Sequence, residues 1–166
     1  LWIAGKQNEV YKKDYSGRNS ETFKNLNYQC EMDNGDQWFL SVDNKAVLKT
    51  GSNWKSFDIK DGLMQHPVRI ISTSRSQVWA AGSQNSIAAT AFFEDGRWHK
   101  QIHPKLSWGI DYRAIVEAID GSIWFGAGVD IDESKGQVAG VLRLLNPQSD
   151  KKNWLHSSLG KIYIWE

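Results

Sequence analysis

The chain has 166 residues, with 20 Lys and Arg against 19 Asp and Glu and a formal charge of +1. That balance offers no support for a nucleic-acid or polyanion binder, which usually shows a basic stripe or patch. The most apolar stretch, 138–145, holds Arg143 and is far shorter than the roughly 20 residues of a membrane span, so no membrane contact is expected.

Cys30 is the only cysteine, which rules out an intrachain disulfide and leaves the redox compartment open; it reads as a small buried strand residue. Nine tryptophans are the compositional anomaly, and their spacing explains them. The chain opens on Leu1-Trp2-Ile3-Ala4-Gly5, mid-strand and without an initiator Met, so it is expected to be cut from a longer polypeptide. The same pattern returns at Gln37-Trp38-Phe39-Leu40-Ser41, Val78-Trp79-Ala80-Ala81-Gly82 and Ile123-Trp124-Phe125-Gly126-Ala127, and Ile162-Tyr163-Ile164-Trp165 reads as a fifth copy. The aromatic positions 2, 38, 79, 124 and 163 are 36, 41, 45 and 39 residues apart.

Turn signals precede the later copies: Asn34-Gly35, Ser74-Arg75-Ser76, Asp120-Gly121 and Gly160-Lys161. Asn-Gly and Asp-Gly between apolar strands favour a hairpin because they tolerate positive φ. A second tryptophan follows a turn in each unit, at Trp54, Trp98 and Trp154. Between these anchors lie short β-rich runs such as 68–71, 87–93 and 112–116, and no apolar period of 3.6 residues persists beyond two turns. A unit of about 40 residues with four short strands and a recurrent tryptophan has the period of a propeller blade. The expected fold is therefore all-β, a β-propeller of about four blades of four antiparallel strands, forming part of a larger propeller. The units run at about 2–37, 38–78, 79–123 and 124–162. Across the third and fourth units, strands A to D are expected near 112–119, 122–127, 137–145 and 153–157, with Trp124 and Trp154 wedged between neighbouring blades.

The phrase Asp120-Gly121-Ser122-Ile123-Trp124-Phe125-Gly126-Ala127, followed by Gly140-Val141-Leu142-Arg143, resembles the two-component regulator propeller repeat. The units at 79 and 124 match it well, whereas that at 38 carries Phe-Leu-Ser after its tryptophan. The resemblance implies the periplasmic or extracellular sensor region of a membrane-anchored bacterial histidine kinase or hybrid kinase, its output domain lying beyond this chain. Asp33-Asn34-Gly35-Asp36-Gln37-Trp38 partly fits the Asp-box of sialidase-type propellers, but Glu31 stands where Ser or Thr is expected and the other copies do not fit.

In a four-stranded meander the A–B and C–D turns share one end, and the B–C and D–A connections share the other. The long, varied connections, 101–111 and 128–136, fall at that second end, where a rigid scaffold carries binding residues. The first carries His103, Trp108 and Asp111 and leads into Tyr112 and Arg113; the second carries Asp130, Asp132, Glu133 and Lys135. Arg69 and Arg113 recur ten and eleven residues before Trp79 and Trp124, on the strand that lines the central channel. The candidate ligand-binding residues are Trp108, Asp111, Tyr112, Arg113, Arg69, Asp130 and Asp132, facing a small molecule such as a carbohydrate, or a partner. Arg113 can equally pair with Asp111 and only hold its loop. Trp108 lies outside both repeated tryptophan positions and is expected to be at least partly exposed.

The four histidines show no metal-ligand spacing. Asp130-x-Asp132-x-Ser134 begins like a calcium loop, but Lys135 and Val141 occupy positions that need Gly and Glu. No nucleophile elbow, P-loop or dinucleotide fingerprint is present, so no catalytic residue, metal or cofactor is assigned. The expected function is ligand sensing; a propeller glycosidase or lyase, or a lectin-like or structural interaction propeller, is the alternative. The remaining partners are the rest of the parent propeller or another protomer, and no nucleic acid.

Overall fold

The computed structural model describes residues 2–4, 10–13, 19–106, 110–127, 140–147, 154–158 and 161–165, with side chains described at 23–106, 115–126, 140–147 and 154. Four antiparallel meander sheets follow one another along the chain. Sheet I has three strands, β1 (Trp2–Ala4), β2 (Val10–Lys13) and β3 (Asn19–Phe23). Sheet II comprises β4 (Asn27–Glu31), β5 (Gln37–Leu40), β6 (Ala46–Thr50) and β7 (Asn53–Phe57). Sheet III comprises β8 (His66–Ser72), β9 (Val78–Gln84), β10 (Ile87–Glu94) and β11 (Arg97–Ile102). Sheet IV comprises β12 (Ile110–Glu117), β13 (Ile123–Ala127), β14 (Val141–Leu144), β15 (Trp154–Ser158) and β16 (Lys161–Trp165). The strands A to D expected across the third and fourth units thus appear as β12 to β15. The only helical element among the described residues is a 3₁₀ turn at Ile59–Asp61, and none is long and apolar enough to cross a membrane.

Three A–B turns share one hydrogen-bond pattern. In each, the first residue's amide donates to the fifth residue's carbonyl (Met32 to Asp36, Thr73 to Gln77, Ala118 to Ser122, all 2.8 Å), while the fourth donates back to the first. The fourth position has positive φ in every case, at Gly35, Ser76 and Gly121. That requirement is what the Asn-Gly and Asp-Gly signals encode.

The strand sequences explain the packing between sheets. In β9, Val78 and Ala80 join the core against sheet II, and Trp79 and Ala81 join the core against sheet IV. Both faces of β9 are covered, so the strand carries apolar residues without polar alternation. Its alanines, with Ala89 and Ala91 of β10, leave room for the large ring of Trp38 from β5. Trp38 meets Phe93 and Trp98 edge-on, at centroid distances of 4.9 and 5.4 Å. One sheet further along, Trp79 packs with Phe92, Phe125 and Trp154. Strands at position A lie against one another, β4 on β8 and β8 on β12, and Gln29 of β4 accepts the amide of Ile70 in β8 (3.1 Å).

One expectation is corrected. The segment at 162–165 does not open a new unit: β16 pairs with β15 as a fifth strand of sheet IV, with Trp165 opposite Trp154. Twenty-five residues separate Trp54 from Trp79, and 26 separate Trp98 from Trp124, but only nine separate Trp154 from Tyr163. The spacing of 39 from Trp124 arises because the β13–β14 connection is long. Trp154 is buried between sheets III and IV as expected, but Trp124 lies on the opposite face of sheet IV and stays partly exposed. No strand pairing joins sheet I to sheet IV among the described residues.

Candidate functional site

The end of the sheets that carries the B–C and D–A connections holds an open cleft of about 510 Å³ between sheets II and III. One wall is the β5–β6 turn, with Asp43, Asn44 and Lys45. The other is the connection from β7 to β8, with Asp58, Ile59, Lys60, Gln65 and His66.

Local chemistry fixes both walls. The β5–β6 turn repeats the A–B pattern: the Ser41 amide donates to the Lys45 carbonyl (3.0 Å), and Asn44 takes φ of 61°. Ser41 Oγ donates to Asp43 (2.6 Å), and Lys45 Nζ lies 2.7 Å from the same carboxylate. Partial burial works to raise the Asp43 pKa, but the hydrogen bonds from Lys45 and Ser41 and the charge of Lys45 outweigh it and hold the carboxyl below its ordinary value. On the facing wall Asp58 caps the 3₁₀ turn, accepting from the Lys60 amide (2.8 Å), while the Asp58 amide donates to Asp61 (2.9 Å). Leu63 and Met64 anchor this connection in the core. The Gln65 amide donates to Gln84 (3.0 Å), and Gln65 accepts from the Asn85 amide (3.2 Å). Asn44 Nδ2 and His66 Nδ1 meet at 3.3 Å, linking the walls. The result is a prepositioned set of carboxylate, amide, imidazole and ammonium groups, edged by the half-exposed Ile59.

A second hollow at the same end, about 240 Å³, is lined by Gln101, Ile102, His103, Pro104 and Lys105. His103 is not available to a ligand. It is 3% exposed, bonded to Thr90 Oγ1 (2.9 Å) and packed against Trp154 at 4.9 Å. Burial pushes its pKa down to about 4, so it is a neutral packing residue. Trp154 Nε1 donates to Gln101 Oε1 (2.8 Å), which holds the base of the D–A connection.

Of the other candidate residues, Arg69 sits on β8 just past a bulge, partly buried, where its charge acts on Cys30 of β4. Burial is the larger influence on that thiol and raises its pKa to about 11. Asp111, Tyr112 and Arg113 belong to β12, but their side chains lie outside the described residues. Trp108, Asp130 and Asp132 lie outside the described residues altogether. The strand ends joined by 103–109 and 128–140 sit at the end of the sheets that holds the cleft. Sequence reasoning passed over the cleft because its connections are short. The available signal was polar density, Asp43-Asn44-Lys45 followed by the cap at Asp58-x-x-Asp61. No group of His, Cys, Asp and Glu suited to a metal ion occurs among the described residues.

No protein-family model matches the chain, and no curated protein matches it. Among solved structures it is similar to the extracellular domain of a hybrid two-component system from B. thetaiotaomicron, with a TM-score of 0.52 at 13% identity, covering 98% of this chain and 27% of that one. The chain is a β-propeller segment. At that identity the likeness carries the fold alone, and the segment spans 27% of the length of that extracellular domain. A likeness to virginiamycin B lyase from Staphylococcus aureus has a TM-score of 0.49 at 14% identity, covering 99% of this chain and 68% of that one.

Proposed function

We propose that this segment is the ligand-binding part of an extracytoplasmic sensor propeller in a bacterial two-component system, with signalling output elsewhere in the parent protein. The observation that carries the reading is the cleft between sheets II and III, at the end where the B–C and D–A connections meet. Its donors and acceptors sit on backbone fixed by caps, turns and a packed aromatic core, which suits recognition. The cellular role and the location outside the cytoplasm are carried over, as part of the proposal, from the extracellular domain of a hybrid two-component system that shares this fold.

The ligand we propose is a small polyhydroxylated molecule, such as a mono- or oligosaccharide. Asp43, Asn44, Asp58 and His66 line the cleft with acceptors and donors that can serve hydroxyl groups, and Ile59 offers an apolar edge. We further propose Trp108, Asp111, Tyr112, Arg113, Arg69, Asp130 and Asp132 as ligand contacts beyond the cleft.

A thermal-shift screen of mono- and oligosaccharides, run beside an assay for released reducing ends, tests the proposal. Stabilisation without turnover is expected, lost in Asn44→Ala and reduced in Trp108→Ala. Turnover of a bound sugar, or stabilisation unaffected by both substitutions, contradicts it.

A further inference from the structure

The series of buried tryptophans stops at Trp124. Trp38 projects from sheet II into the core shared with sheet III, and Trp79 projects from sheet III into the core shared with sheet IV. Both are at most 1% exposed. Trp124 holds the same place in β13, and its neighbours Ile123 and Phe125 face back toward sheet III, so its ring faces onward. Nothing among the described residues packs over that face. Val116 and Arg143 lie directly opposite Trp124 on the flanking strands, and Val116 is 59% and Leu145 41% exposed.

We propose that this outer face of sheet IV is a docking surface for a further four-stranded blade of the same kind, continuing the direction from sheet II to III to IV. The argument is continuity with two interfaces already formed in the molecule. At each, the onward-facing tryptophan of one sheet enters a surface built from strand B, C and D residues of the next, as Trp79 enters that of Phe125, Leu142 and Trp154. The occupant therefore presents an apolar strand pair and a strand-D tryptophan. The extracellular domain that this chain resembles is also far longer than the part this chain covers.

The surface is prepared for burial. Trp124 Nε1 donates to Ser122 Oγ (2.9 Å), so covering the indole strands no donor. Arg143 stacks its guanidinium 4.8 Å from the Trp124 ring. Its Nε donates to Ser122 Oγ (3.1 Å), and Nη2 donates to Asp120 (2.5 Å). The Arg143 charge is thus already paired.

Cysteine accessibility tests the proposal, in a Cys30→Ser background with Val116→Cys on the face and Val42→Cys as a remote exposed control. Maleimide labelling is compared in the 166-residue chain and in a chain extended by a repeat of residues 58–102 after Ser158. The expected result is fast labelling at both positions in the unextended chain, and labelling at 116 slowed about tenfold or more in the extended chain with 42 unchanged. Equal labelling in an extended chain whose added strands are protected from hydrogen exchange overturns the proposal. Protection at 116 in the unextended chain also overturns it, because this chain or a second copy then covers the face. A second measurement needs no extension: in the 166-residue chain Trp124→Ala is expected to lower Tm by less than half the drop caused by Trp79→Ala. Equal drops mean that Trp124 belongs to this chain's own core, and the proposal fails.

Discussion

Trp38, Trp79 and Trp124 share one place in the repeat, but their surroundings set different energetic roles. Trp79 is enclosed by Phe92, Phe125 and Trp154, and its removal leaves a cavity between two sheets. Trp79→Ala is expected to cost about 3–5 kcal/mol in denaturant unfolding; a loss below about 1 kcal/mol contradicts the wedge role. The period in the sequence located all three rings. It could not say which face of the last sheet is covered, because coverage is a property of the neighbouring sheet and not of the strand. His103 shows the same gap. The sequence shows only that it belongs to the 101–111 connection, while the structure packs it against Trp154 of the next sheet. Because burial holds its folded pKa near 4 against an ordinary 6.5, the unfolded chain takes up this proton at higher pH than the folded chain does. The resulting stability is present in full above about pH 6.5 and is lost as pH falls toward 4, on the order of 3 kcal/mol. Tm measured between pH 7 and 4 should fall less steeply in His103→Gln than in the native chain. Identical slopes would assign the acid sensitivity to other groups.

Among the elements, the A–B hairpins were the most legible, because a turn that needs positive φ at its fourth position writes that need into the sequence. The connections were less legible. Length drew attention to 101–111 and 128–136, yet the described cleft is built from the short β5–β6 turn and the capped 3₁₀ connection. Strand β16 shows how a long loop can imitate a repeat, since the β13–β14 connection moves Tyr163 to a blade-like distance from Trp124. Gly82 marks another constraint set by an element. It pairs with Pro67 beside the β8 bulge, and a Cβ there would stand 2.1 Å from the His66 carbonyl oxygen and 2.8 Å from Met64 Sδ. Backbone cannot yield cheaply at that distance, so Gly82→Ala should destabilise by about 1–3 kcal/mol. A Tm unchanged by the substitution would show that the bulge relaxes freely. The same change displaces the backbone of His66 at the cleft wall, so ligand binding should weaken with it.

At the scale of the molecule, successive sheets are joined by aromatic cores, by position-A strand contacts and by bonds between their A–B turns. Ser76 Oγ donates to Asp33 (3.0 Å), and the Ser74 amide and hydroxyl both donate to Glu117 (2.6 and 2.8 Å). These ties hold the turn end of the sheets together and leave the opposite end open for recognition. Amide chemical-shift mapping with a saccharide that stabilises the chain tests this division of the molecule most directly. Perturbations are expected at 41–45 and 58–66, extending into 103–113, with the A–B turns at 32–36, 73–77 and 118–122 unmoved. Perturbations centred on those A–B turns, or on the Trp124 face, would contradict it.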